Sequence, residues 1–132
     1  MTTFESNRKI SKRSARELYK ILVDFKELDK LLPSDKLTNW YAEEDFCKFK
    51  VDGMGEVGLK IASKEQDKMI KYMGWGNVPF DFYLMIFLDG ETENGTLVQV
   101  KAEAKLNPLI KMVASPQIKK FIESLVEAIV GY

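Results

Sequence analysis

The stretch "IKKFIESLVEAI", residues 118–129, decides the fold. Ile118, Phe121, Ile122, Leu125, Val126 and Ile129 recur at three- and four-residue intervals, which puts them on one side of a long helix. Such a stripe must be buried against something, and the chain before it reads almost entirely as strand. Residues 37–42 form a short strand containing Trp40. Cys47, Phe49 and Val51 then alternate with Lys48, Lys50 and Asp52, and Val57, Leu59 and Ile61 alternate with Gly58 and Lys60. Residues 67–75 place Ile70 and Tyr72 on one face. In "VPFDFYLMIFLDG", residues 78–90, both faces are apolar: Phe80, Phe82, Leu84 and Ile86 on one, Tyr83, Met85 and Phe87 on the other. Last, "TLVQVKAEAKL" sets Val98, Val100, Ala102, Ala104 and Leu106 against Gln99, Lys101, Glu103 and Lys105.

The ends complete the layout. Residues 2–10 read as an edge strand with Phe4, Ser6, Arg8 and Ile10 on one face. Ser14 and Glu17 have the spacing of a capping box, and Leu18, Ile21, Leu22 and Phe25 make a helical stripe. A second short stripe, Leu28, Leu31 and Leu32, stops at Pro33, because proline disfavours the α region for the residue before it. Asn107-Pro108 and Ser115-Pro116 each pair an N-cap with a proline at the first helical position. These predict a short helix from about residue 108, a break near 115 and a longer helix after it. The order is strand, two short helices, six strands and closing helix, an α+β class within one domain over residues 1–132. A twisted antiparallel sheet of seven strands curls, and the closing helix lies across its hollow.

Composition excludes several functions. Lys+Arg is 20 and Asp+Glu is 20, and nothing in this balance suggests a nucleic-acid partner, which would need a clustered basic surface. The run Arg8–Arg16 interleaves its charges with apolar positions and reads as a solvated face. Histidine is absent, which removes the commonest acid–base group, metal ligand and partner of a nucleophile. The lone Cys47 permits no internal disulfide, fits a reducing compartment and reads as a buried, inert thiol. The polar N-terminus carries no signal segment, and no apolar stretch reaches the roughly 18 residues of a membrane span, so a cytoplasmic location is expected. "GMGEVG", residues 53–58, matches a dinucleotide fingerprint in spelling only, because alternation rather than a helix follows it; Asp52-Gly53 reads as a hairpin turn. Glu43, Glu44 and Asp45 fall on a turn, and no spacing suggests a zinc or calcium site. No cofactor is expected.

The arrangement resembles a START-like protein of the SRPBCC superfamily, the helix-grip fold. The resemblance rests on the strand ending at Ile10, on "ARELYKILVDFKELDKLLP" with Asp24 at a helix end and Pro33 closing the second helix, on the six-strand meander and on the terminal helix. Two departures stand out: Ser11-Lys12-Arg13 replaces a proline the family often carries after its first strand, and Pro116 interrupts the terminal helix. The resemblance implies a pocket between curved sheet and terminal helix for lipids, sterols, polyketides or other hydrophobic ligands. Some members are cyclases or dehydratases, and some bind chaperones.

The candidate lining is Trp40, Phe49, Leu59, Tyr72, Phe80, Phe82, Leu84, Val100, Ala102 and Ala104, with Phe121 and Leu125 from the closing helix. The bland reading of this set is an ordinary filled core. Ala102 and Ala104 either let the helix come close or leave a void. On the convex face Tyr83, Met85, Phe87 and Leu97 form a candidate homodimer interface, unless long neighbours such as Lys101 drape over them. Non-catalytic binding of a hydrophobic or amphipathic small molecule is the first function. A cyclase or dehydratase is the alternative, with Tyr72, Asp81 and Arg8 as the available proton carriers. A protein-interaction module, chaperone-associated as in some relatives and using the convex face, is the third.

Overall fold

Two short strands at the N-terminus share one partner. In the computed structural model, which describes residues 1–132 apart from the side chain of Glu91, β1 (Thr2–Glu5) and β2 (Lys9–Ser11) both pair with β8 (Gly95–Ala104). Between them come α1 (Ala15–Leu22), a 3-10 turn (Leu28–Leu31), β3 (Leu37–Ala42), β4 (Cys47–Val51), β5 (Gly55–Glu65), β6 (Met69–Trp75) and β7 (Phe82–Thr92). The chain closes with α2 (Pro108–Gly131). Every pairing is antiparallel, in the order β1-β8-β7-β6-β5-β4-β3. This is a meander whose first strand returns to lie beside the last. The class is α+β, a curved sheet holding a long C-terminal helix.

One row of inner-face residues crosses five strands: Phe4 pairs with Ala102, Ala102 with Leu84, Leu84 with Tyr72, and Tyr72 with Ile61. α2 packs against β8, β2 and β1 and buries Ala114, Ile118, Ile122, Leu125, Val126 and Ile129. Each large apolar side chain so covered contributes roughly 1.5–3 kcal/mol, which outweighs any local preference of the helix. β5 and β6 approach closely where Gly58 pairs with Trp75, since a Cβ at Gly58 would stand 2.2 Å from the Trp75 carbonyl oxygen, and the β5–β6 register shifts between Ile61 and Ser63.

Four expectations are corrected. The N-terminal strand is broken, and the register with β8 shifts by one residue between Glu5 and Lys9. One extra residue turns every later side chain to the other face. Phe4 and Ser6 are therefore buried, while Ile10 faces out beside Leu97 at 43% exposure and Arg8 is exposed. Only one α-helix precedes β3; the second stripe is a 3-10 turn, too short to be an α-helix before Pro33 stops it. The capping box is half made: Ser14 Oγ accepts from the Glu17 N–H at 3.1 Å, but the Glu17 carboxylate pairs with Arg13 at 2.9 Å instead of reaching back. Finally, α2 runs unbroken through Pro116. Proline removes the N–H that would serve the Met112 carbonyl, and both residues lie on an exposed part of the helix. Asn107 remains the cap, its Oδ1 accepting from the Ile110 N–H at 2.9 Å.

Candidate functional site

Sheet and α2 enclose an apolar cavity of about 50 Å³. Its floor is Phe49, Val51, Val57, Leu59, Phe82, Leu84, Ala102 and Ala104, its roof is Ile118, Phe121 and Ile122, and its mouth is Met54, Pro79 and Phe80. The register explains the floor. Phe49 pairs with Val57, Phe82 with Ala104 and Leu84 with Ala102, so large residues on β7 face small ones on β8. The alanines do both things expected of them: α2 packs onto β8, and a void remains beside it. Phe82 lies against Gly74, where a Cβ would stand 2.6 Å from the ring.

At the mouth Phe80 and Phe82 meet edge to face, with centroids 6.1 Å apart at 68°. Beyond them the cavity's rim residues Met54, Pro79 and Phe80 also border an open hollow of about 380 Å³, completed by Gly53, Leu109, Ile110, Val113, Ala114 and Gln117. The cavity is well below the roughly 300–1,000 Å³ of ordinary ligand pockets. The cavity and the hollow are neighbouring apolar spaces that share Met54, Pro79 and Phe80.

Of the residues read as lining, the structure brings Phe49, Leu59, Phe80, Phe82, Leu84, Ala102, Ala104 and Phe121 together. Four stand elsewhere. Trp40 stacks behind Phe49 at 5.6 Å, and Val100 and Leu125 are fully buried in the core. Tyr72 is buried against Phe25, and its hydroxyl donates to the Leu22 carbonyl at 2.5 Å. Burial first, and Cys47 second, hold its phenol well above the usual range. Cys47 is fully buried and its thiol is pushed up to about 12, chiefly by desolvation. Val51, Val57, Ile118 and Ile122 were missed although they share the alternation or helical stripe of their neighbours. Met54 and Pro79 sit in loops, which carry no periodic signal.

The proton carriers weighed in the sequence do not reach the cavity. Asp81 is exposed, its carbonyl accepting from the Lys105 N–H at 2.9 Å, and Arg8 lies on the outer face, 3.4 Å from Gln99 Oε1. Among the described residues no cluster of three or more His, Cys, Asp or Glu could hold a metal.

On the outer face Met85 is buried between its cross-strand neighbours Lys71 and Lys101. Lys71 Nζ sits 4.4 Å over the Tyr83 ring and Lys101 Nζ 5.3 Å over Phe87. Tyr83, Phe87 and Leu97 are half-buried. The lysine stems therefore cover much of the second greasy face of β7.

No family model and no curated protein matches this sequence. Solved structures do match along its whole length. A START superfamily protein from Mycobacterium smegmatis has a TM-score of 0.68 at 18% identity, covering 98% of this chain and 94% of that one. The Aha1 dimer from Colwellia psychrerythraea has a TM-score of 0.67 at 20% identity, covering 98% and 97%. The di-domain ARO/CYC BexL from the BE-7585A biosynthetic pathway has a TM-score of 0.75 at 9% identity; the match covers 99% of this chain but 46% of that one. The chain shares the START-like helix-grip fold of these structures. No helix among the described residues is long and apolar enough to cross a membrane.

Proposed function

We propose that residues 1–132 act as one START-like unit that binds, without catalysis, a hydrophobic or amphipathic small molecule between the sheet and α2. The observation that carries this reading is the apolar cavity between sheet and α2 with an open apolar hollow beside it, Met54, Pro79 and Phe80 lining both. Phe80, Phe82 and Phe121 are only half-buried, so they are the side chains that swing aside to admit a ligand larger than the cavity. The cyclase or dehydratase reading draws on the ARO/CYC likeness, but Tyr72, Asp81 and Arg8 line neither the cavity nor the hollow. The unpaired, buried Cys47 supports a reducing, cytoplasmic setting.

Native mass spectrometry of gently purified protein tests the reading, together with melting curves in fatty acids of increasing length and in sterols. A co-purified small molecule, or a melting temperature raised by one of these classes, is expected. Silence throughout would overturn it.

A homodimer through the outer face is a second element of the proposal. It is favoured by two registered pairs at that face, Ile10 with Leu97 and Met73 with Tyr83, in which Ile10 and Met73 are 43% and 37% exposed. The Aha1 structure of the same fold is a dimer. Sedimentation of the parent and of Ile10→Ser/Met73→Ser is the check; a single 15.2 kDa species for the parent at high concentration removes the dimer.

A further inference from the structure

The first two turns of α2 carry an apolar stripe that faces solvent. Leu109, Met112 and Val113 are 77%, 78% and 67% exposed, and Pro116 one turn on is exposed as well. Their spacing of i, i+3, i+4 and i+7 puts them on one side of the helix. The helix's buried row begins only at Ala114, so these four are not the margin of the core stripe but a second one.

The same stretch is basic. Between Glu103 and Glu123 the chain has Lys105, Lys111, Lys119 and Lys120 and no carboxylate, and all four lysines are exposed. Of the neighbouring loops, Asp52 shares a hollow with Lys36 and Lys120, where lysine is in excess, and Asp81 is exposed beside Lys105.

We propose that this end of the molecule docks on an anionic lipid bilayer surface. Leu109, Met112 and Val113 enter the boundary between headgroups and acyl chains, and Lys119 and Lys120, further along the same side of the helix, lie on the headgroups. Charge selects this occupant. A second copy packed stripe to stripe would bring lysines against lysines with no carboxylate in the segment to pair them. A neutral partner groove would cover the stripe and leave the lysines idle. Docked this way the protein lies on the bilayer without spanning it, and the hollow bordered by Phe80, Ile110 and Val113 opens at the lipid surface. The docking stands whatever the cavity holds.

Vesicle co-sedimentation of the full chain tests it, comparing pure phosphatidylcholine with equal parts phosphatidylcholine and phosphatidylglycerol, at low and high salt. The chain should pellet with the mixed vesicles only, and salt should weaken it. Lys119→Gln and Lys120→Gln should each lower partitioning about fivefold. Met112→Ser/Val113→Ser, which alters exposed side chains alone, should abolish it. Failure of the parent to pellet with the mixed vesicles, or retention by the Met112→Ser/Val113→Ser variant, overturns the proposal. So does a dimer that this variant dissolves, seen by light scattering without vesicles, in a parent that binds none.

Discussion

The Tyr72 hydroxyl, on β6, donates to the carbonyl of Leu22 at the last residue of α1, 2.5 Å away and out of reach of solvent. Helix ends leave carbonyls without intrahelical donors, and this one is satisfied by the sheet. The bond fixes how α1 sits on β6, and it spends the polar atom of a side chain that would otherwise be free to serve the cavity. Tyr72→Phe should therefore lower stability by about 1–3 kcal/mol, the cost of leaving a buried carbonyl unpaired. Denaturant unfolding reads the loss. Any ligand-induced rise in melting temperature should survive, because Tyr72 does not line the cavity; its disappearance would return Tyr72 to the site.

The floor and mouth of the cavity respond in opposite ways. Ala102→Leu fills the void beside α2 and should erase ligand-induced stabilisation, at an overpacking cost of about 1–3 kcal/mol. Phe80→Ala removes a half-exposed ring from the neck and should enlarge that stabilisation with little cost of its own. Melting curves of both variants, with and without a ligand found for the parent, are the measurement. Equal responses would mean the ligand binds elsewhere.

Two glycines separate backbone from side-chain crowding. A Cβ at Gly58 meets the Trp75 carbonyl oxygen at 2.2 Å, whereas one at Gly74 meets the Phe82 ring at 2.6 Å. A carbonyl in a strand pair cannot move without breaking the pair, but a half-buried ring can turn. Gly58→Ala should cost several kcal/mol and threaten folding, and Gly74→Ala should cost about 1 kcal/mol. Chemical denaturation ranks them; equal costs would show that the strands can part at Gly58 as easily as the ring turns at Gly74.

Cys47 makes stability depend on alkaline pH. Its thiol is near 9 when unfolded and is pushed up to about 12 in the fold by burial. A raised folded value means the stabilisation is complete below about 9 and is lost as pH rises from there toward about 12. Unfolding at several alkaline pH values should show a decline that Cys47→Ala reduces, since the alanine variant lacks the linkage. The parent thiol should also resist a thiol reagent at neutral pH unless the protein is first unfolded.

Most of the sheet was legible because alternation with period two needs no knowledge of partners. Phe49 with Val51, and Val98 through Ala104, announce a buried face by sequence alone. The stripe from Ile118 to Ile129 likewise announces a helix with something to cover. Motif spelling misled less than spacing did: Met54 N–H closes a turn onto the Val51 carbonyl at 3.0 Å, and β5 follows, so "GMGEVG" is a hairpin.

What sequence could not disclose were quantities that depend on two distant segments at once. One added residue near Asn7 reversed Ile10, and only pairing with β8 reveals such a slip, because a strand pattern looks the same from either face. Pro116 stops a helix in isolation, yet packing of Ile118 to Ile129 on the sheet carries α2 through it. The patterning of apolar residues along the chain thus determined which elements exist and which faces they bury. Tertiary structure alone decided how much space was left between them and which of Trp40, Tyr72, Val100 and Leu125 were consumed as core, since a void is the difference between two packed surfaces and belongs to neither.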